Sequence, residues 1–173
     1  MKEFEELDID NSPTADSFYR NGLDFLTAAE RCLGMREDGH VDFAVNGKLI
    51  VLVAPSVVNA SFACEMFFKA LILKNGMACP KGRDGHNLLS LFGLLPETVR
   101  EFIAQSCCGN KEDAEDKMRG FLDRHAEDFV GTRYYIERFG WQEMSPLMVY
   151  TYAHNIGEAT KYLLTNWELI SNG

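Results

Sequence analysis

A long apolar segment that carries two charged side chains constrains the fold of this chain more than any other feature. The segment covers residues 59–76, and Glu65 and Lys69 lie one helical turn apart within it. Moving an unpaired charge into an apolar interior costs several kcal/mol, so buried charges are normally paired. The sequence therefore predicts a central, largely buried helix in which these two side chains need a partner.

Start and stop signals along the chain predict further helices on both sides of this segment. Ser12-Pro13 and Ser145-Pro146 are typical helix starts, because serine caps the first turn and proline fits its first position. The first helix is expected to end near Arg36. The other predicted helices run from 55 to 76, from 87 to 94, from 96 to 107 and from 111 to 130. Together they predict one all-α domain over residues 1–173, an up-and-down helical bundle with short extra helices and a loose segment at 1–11.

The last predicted helix carries a regular apolar stripe. Its members recur at alternating spacings of four and three, which is typical of a helix packed along another helix: Val149, Ala153, Ile156, Thr160, Leu163, Trp167 and Ile170. This stripe predicts either the interior of a bundle or the face of a dimer.

Residues 41–54 carry two conflicting signals. Asn46-Gly47 between two apolar runs is typical of a β-hairpin. A two-stranded hairpin is only marginally stable alone, and no third strand is evident elsewhere in the sequence. We therefore expect a short irregular or helical segment here and keep the hairpin as the alternative.

Composition limits the cellular compartment and the classes of binding partner that we expect. The formal net charge of −9 disfavours RNA or a nucleotide as a partner, although a local basic groove would still allow either to bind. The five cysteines are odd in number and contain no CxxC pair, which predicts a reduced, cytoplasmic protein. The acidic N-terminus lacks the apolar core of a secretory signal, and no membrane association is predicted.

Three segments in order resemble bacterial HEPN-like proteins: residues 55–71, residues 85–92 with their Gly-His start, and residues 129–137 with their Arg-Tyr pair. This resemblance implies an up-and-down helical bundle that is frequently a homodimer. Members serve in toxin–antitoxin, phage-defence and RNA-processing systems. Some are metal-independent endoribonucleases, and others are non-catalytic binding modules.

The polar residues within these segments are the candidate ligand-binding site. We expect five of them to gather around a phosphate or a nucleotide: Glu65, Lys69, His86, Arg133 and Tyr134. The alternative is a set of internal ion pairs that fixes the central helix against the segment around Arg133. For His86 the alternative is a histidine that only anchors its loop by hydrogen bonds.

The nuclease members share an arginine and a histidine with four to six residues between them. Only Arg119 and His125 match this spacing, and Gly120 stands where those members have a polar residue. These two residues are the candidate catalytic pair. The charged neighbours of His125 predict that it is exposed to solvent.

The remaining motifs predict no cofactor and no metal site. His154 and Glu158 lie four residues apart in the last helix, but two ligands do not make a metal site, and we interpret them as a surface pair. The aromatic cluster at residues 134–141 is interpreted mainly as core.

The leading hypothesis is a HEPN-like binding or interaction module that works as a homodimer and has a possible protein partner. The alternatives are a metal-independent endoribonuclease and a structural subunit that binds no small ligand.

Overall fold

The computed structural model describes residues 12–35, 44–45, 48–49, 52–125 and 145–168. These residues form an all-α helical bundle with one minimal hairpin, which confirms the predicted fold class. The elements in chain order are α1 (Ala15–Leu33), β1 (Ala44–Val45), β2 (Lys48–Leu49), α2 (Val53–Lys74), a 3₁₀ helix (Gly82–His86), α3 (Leu88–Gly93), α4 (Glu97–Cys108), α5 (Ala114–Arg124) and α6 (Pro146–Thr165).

Helix α2 is the centre of the bundle, as the apolar segment predicted. It packs against α1, α3 and α6. Its core side chains are fully buried, and the largest of them are Phe67, Phe68, Leu71 and Ile72. By length and composition α2 could also cross a membrane, but 72% of its most apolar stretch is buried inside the protein, and the core helix of a soluble protein passes the same test.

Two glycines allow α1 and α6 to approach the same aromatic ring of α2. A Cβ atom added at Gly22 of α1 would lie 2.5 Å from Cε1 of Phe67, and one added at Gly157 of α6 would lie 2.9 Å from its Cε2 and Cζ. The Phe67 ring therefore fills the space left by both missing side chains. This three-helix contact fixes the position of α2 beneath the candidate site.

Helices α3, α4 and α5 form a second group beside this core. Helix α4 packs on α5 and α6, while α3 contacts α2 and α5. The rings of Phe121 in α5 and Tyr152 in α6 stack with centroids 3.8 Å apart. Burial of their apolar faces joins the two groups into one continuous core.

Several helix ends agree with the sequence signals. Ser145 caps α6 with Pro146 in the first turn, Asn87 caps α3 through the Ser90 amide, and α2 ends at Asn75. The start of α1 was predicted two residues early, because Thr14 and not Ser12 forms the cap.

The two long predicted helices are shorter than the sequence suggested. The cap of α1 is a reciprocal capping box, in which Thr14 and Ser17 each accept the backbone N–H of the other. That helix stops at Leu33, before Arg36, because Gly34 adopts the left-handed conformation at φ 71°. Helix α5 ends at Arg124, and the predicted continuation to residue 130 lies outside the described residues.

The prediction of an irregular or helical segment was wrong for residues 44–45 and 48–49. Ala44 pairs with Leu49 and Val45 with Lys48 in an antiparallel hairpin. The prediction treated the hairpin as isolated, whereas here it connects two core helices. Just after it, the Leu52 amide donates to the Cys32 carbonyl oxygen of α1 at 2.8 Å. This tether supplies support that a free two-stranded hairpin lacks.

The apolar stripe of α6 faces the bundle interior. All of its described members except the half-buried Trp167 are buried, namely Val149, Ala153, Ile156, Thr160 and Leu163. Of the two predicted roles for the stripe, the structure shows packing within the chain. Any dimer contact made by α6 must use another face of the helix.

Candidate functional site

Glu65 and Lys69, the charged pair of α2, are buried in the core. The Lys69 Nζ atom donates to the Glu65 Oε1 atom at 2.6 Å, across one turn of the helix. Only 3% of the Glu65 side chain and 11% of the Lys69 side chain are exposed. The Lys69 ammonium also lies 6.0 Å from the centre of the Phe18 ring, within cation–π range. The two buried charges thus neutralise each other, as the sequence analysis required.

His86 joins this pair from the end of the 3₁₀ helix. Its Nδ1 atom lies 3.1 Å from Oε1 and 3.2 Å from Oε2 of Glu65. In contrast to its partners, the His86 side chain is 46% exposed. One carboxylate therefore links a buried ammonium to an imidazole at the protein surface.

The loop before His86 is shaped by a close backbone contact. A Cβ atom at Gly85 would lie 2.4 Å from the Pro80 carbonyl oxygen, so only glycine fits this turn. The Cys79 thiol donates to the Lys69 carbonyl oxygen at 3.7 Å and ties the same loop to α2. Burial raises the pKa of Cys79 although the Lys69 charge opposes the change. These contacts hold the loop and the short 3₁₀ helix in a position that places His86 over Glu65.

The arrangement fixes the tautomer of His86. With the Glu65 carboxylate as acceptor, Nδ1 carries the proton, and Nε2 is the acceptor nitrogen of the neutral ring. A protonated ring would instead present a second N–H donor and a positive charge. The Nδ1 contact with Glu65 therefore sets the orientation of the ring.

The structure brings together three of the five predicted ligand-binding residues. Glu65, Lys69 and His86 form one chain of hydrogen bonds, which we call the Lys–Glu–His cluster. Arg133 and Tyr134 lie outside the described residues, as does the rest of the predicted aromatic cluster. Their part in the site stays a prediction.

The candidate catalytic arginine is bound within an ion-pair network. Arg119 donates from Nη2 and Nε to Glu115 Oε1 at 2.8 and 3.0 Å, and its guanidinium lies 5.7 Å from the centre of the Phe92 ring. Arg100 of α4 donates to the same Glu115 oxygen at 3.1 Å. Burial raises the pKa of Glu115, but the two arginines outweigh it and hold that pKa below its usual range. The spacing of Glu115 and Arg119, four residues apart, was a sequence signal for their contact, whereas the contact of Arg100 depends on how α4 packs against α5.

The prediction that His125 is exposed to solvent was wrong. Its exposed fraction is 8%, and its ring packs on Phe121 with centroids 4.7 Å apart. Its position four residues after Phe121, on the inner face of α5, was a signal that the charged neighbours obscured. Arg119 and His125 contact different partners, and residues six apart lie about 120° apart around a helix. Their joint catalytic role stays a prediction.

The predicted surface position of two residues of α6 is confirmed. Both His154 and Glu158 are exposed. Within the described ranges, no group of three or more His, Cys, Asp or Glu side chains could hold a metal ion. All five cysteines are free thiols.

Comparison with known proteins adds no assignment at this point. Neither the protein-family models, nor the curated proteins, nor the solved structures give a significant match to this chain. The functional interpretation therefore depends on the residues and their geometry.

Proposed function

We propose that this chain is a HEPN-like binding module of a bacterial defence, toxin–antitoxin or stress system, and that it works in the cytoplasm as a homodimer. The proposed ligand is a phosphate group or a nucleotide bound at the Lys–Glu–His cluster. A protein partner within such a system is compatible with this role. Five free thiols support the reducing compartment.

One observation carries the proposed site: a buried ion pair ends in a surface imidazole. If the cluster served only as an internal lock, burial of all its members would be expected. Instead the exposed fraction rises from 3% at Glu65 to 46% at His86. Buried ion pairs are also weak stabilisers, because desolvation offsets most of their attraction. The buried ion pair therefore adds little stability, and its main effect is to orient the His86 ring through Glu65.

The charges near His86 favour an anionic ligand. Lys81 and Arg83 are exposed within the five residues before it, and Asp84 is the only acid there. By residue count this stretch carries two basic side chains and one acidic one, whereas the chain as a whole has a net charge of −9. A phosphate oxygen is a strong acceptor for a protonated imidazole and for nearby cationic side chains.

The endoribonuclease alternative has less support. Arg119 forms an ion pair with Glu115, and the His125 ring is buried against Phe121. A catalytic pair would need both groups to reach the same scissile phosphate. This observation favours the binding module over the nuclease.

Binding should be measured by NMR on the full chain with His side chains labelled. We expect inorganic phosphate or AMP to shift the His86 ring resonances of the wild type in a saturable manner. His86→Ala should abolish saturable binding, and Glu65→Gln should weaken it by releasing the ring. The matched control is Arg20→Ala, which removes an exposed cation from α1 and should leave binding unchanged. Absence of saturable shifts in the folded wild type would refute the proposed ligand class.

Catalysis needs a separate assay. RNA should remain intact with the pure protein in EDTA under conditions where the wild type is folded. Metal-independent cleavage that is lost in a folded Arg119→Ala/His125→Ala or Arg133→Ala variant would overturn the non-catalytic assignment.

A further inference from the structure

A cavity of about 260 Å³ opens between helices α4 and α5 and shares no residue with the Lys–Glu–His cluster. Helix α4 ends at Cys108, where Gly109 has a positive φ of 83° and allows the chain to turn back. In the connection the Lys111 amide donates to the Gly109 carbonyl oxygen at 2.9 Å, and the Ala114 amide donates to that of Lys111 at 3.1 Å. Residues of this turn therefore line the cavity together with residues of both helices.

The inner part of the cavity combines two methyl groups with a carboxylate that is held in place. Ala104 and Ala114 line it and are buried. Glu115 also lines it, and its Oε1 atom accepts two hydrogen bonds from Arg119 and one from Arg100. All three bonds go to Oε1, and no described residue donates to Oε2. The carboxylate is thus oriented by the protein and keeps one oxygen as an acceptor for a ligand.

The rim of the cavity carries charges of both signs that do not pair with each other. Glu101 of α4 and Lys111 and Glu112 of the connection line the cavity, and all three are exposed. No ion pair joins Lys111 to either glutamate, although all three are among the described residues. Asp113, the next acid along the chain, is bound by Lys117 at 2.7 Å. Opposite charges that face one cavity without contact leave room for a ligand between them.

The charges around the cavity balance. By residue count, the charged lining residues and the two arginines bound to Glu115 comprise three acids and three bases, namely Glu101, Glu112, Glu115, Lys111, Arg100 and Arg119. Separated charges that sum to zero favour a dipolar ligand over a simple cation or anion. The volume lies below the range of about 300–1,000 Å³ that is typical of pockets for drug-sized ligands, so the ligand is a smaller molecule.

We propose that this cavity binds a free α-amino acid with a small apolar side chain. The ammonium group of the ligand donates to Glu101 and to Oε2 of Glu115, its carboxylate accepts from Lys111, and its side chain packs on the methyl groups of Ala104 and Ala114. This inference goes beyond the proposed function and does not depend on it. Because the rim is exposed to solvent, the dissociation constant should be on the order of 1 mM.

Titration of the isotope-labelled full chain, followed by NMR, tests the ligand class with three probes of similar shape. L-Valine carries both charges, isobutylamine lacks the carboxylate, and isovalerate lacks the ammonium group. We expect L-valine to shift the amide resonances of residues 101–115 in a saturable manner. Each analogue should bind at least about fivefold more weakly, because one of its charged contacts is lost. Equal binding of isobutylamine would overturn the dipolar ligand, and no saturable shift at about ten times the expected constant would overturn the site.

Variants that each remove one charge locate the site. Glu101→Gln and Lys111→Gln should each weaken L-valine binding about fivefold. The matched controls are Glu97→Gln, one turn earlier on α4, and Lys161→Gln on α6, which remove exposed charges outside the cavity and should leave binding unchanged. Circular dichroism checks that each variant is folded. Binding that survives both cavity variants, or that the controls weaken equally, would overturn the assignment.

The proposal can fail independently of the phosphate site. His86 does not line the cavity, so His86→Ala should leave L-valine binding unchanged while it abolishes phosphate binding. Loss of L-valine binding in a folded His86→Ala variant would place the ligand outside this cavity and overturn the inference.

Discussion

Replacing Gly22 by alanine should destabilise the protein, although the same change in an open helix usually stabilises it. In a helix interior glycine is about 1 kcal/mol less favourable than alanine. At Gly22, however, the new Cβ would lie 2.5 and 2.7 Å from Cε1 and Cδ1 of the Phe67 ring. Contacts this short require the ring or the helix to move.

The Phe67 ring has no space into which it could move. It is fully buried, and its opposite edge, Cε2 and Cζ, faces Gly157 at 2.9 Å from a Cβ placed there. Displacing the ring from Gly22 therefore presses it towards α6. Overpacking of this kind costs about 1–3 kcal/mol, and here it exceeds the gain in helix propensity. With the gain of about 1 kcal/mol subtracted from the middle of this range, we expect a net loss of about 1 kcal/mol of unfolding free energy, or roughly 2–4 °C in Tm for a chain of this size.

Gly120 is the matched control. It lies in α5, and a Cβ atom there would meet nothing within 4 Å. Gly120→Ala should therefore stabilise the protein by about 0.5–1 kcal/mol. Urea unfolding followed by circular dichroism at 222 nm would measure both changes.

A double-mutant cycle tests the stated cause. In a Phe67→Leu background the smaller side chain leaves room for the new methyl group, so Gly22→Ala should become neutral or favourable. If Gly22→Ala is as stabilising as Gly120→Ala, or if its cost persists unchanged with leucine at position 67, then the reasoning about this contact is wrong.

Two further predictions concern buried polar groups. The Thr160 hydroxyl is buried without a hydrogen-bond partner among the described residues, so Thr160→Val should stabilise the protein by about 1 kcal/mol in thermal unfolding; a loss of stability would show that the hydroxyl is satisfied. Arg119 and Arg100 lower the pKa of Glu115, so this group stabilises the fold above its unfolded pKa near 4.3, and the contribution is lost as the pH falls through the lower folded value. Glu115→Gln should thus cost about 1 kcal/mol at pH 7 and progressively less below pH 4, whereas a cost independent of pH would exclude the ion pairs as its origin.

The helices were predictable because their signals are local. Ser145-Pro146 and Asn87 cap the helices they were expected to start, and the stripe of α6 faces the core. The wrong predictions concern features that depend on tertiary contacts. The strands at residues 44–45 and 48–49 are supported by the backbone bond of Leu52, and His125 is buried because its ring packs on Phe121, four residues earlier.

The candidate site shows the same division between local and distant information. The spacing of Glu65 and Lys69, together with the apolar residues around them, was sufficient to predict a buried pair. That His86 completes the pair depends on the turn at Gly85, where the contact with Pro80 excludes any side chain. Spacing alone could not show this geometry, nor could it show that Arg100 of α4 joins the i, i+4 pair of Glu115 and Arg119.

The difference in exposure within the Lys–Glu–His cluster has a mechanistic consequence. Lys69 compensates the Glu65 charge whatever the protonation state of His86, because the Nζ–Oε1 contact of 2.6 Å is internal to α2. The buried carboxylate is therefore compensated inside α2 and does not depend on the exposed ring for its counter-charge. The contact with His86 adds orientation of the ring, which is the property that the proposed anion site uses.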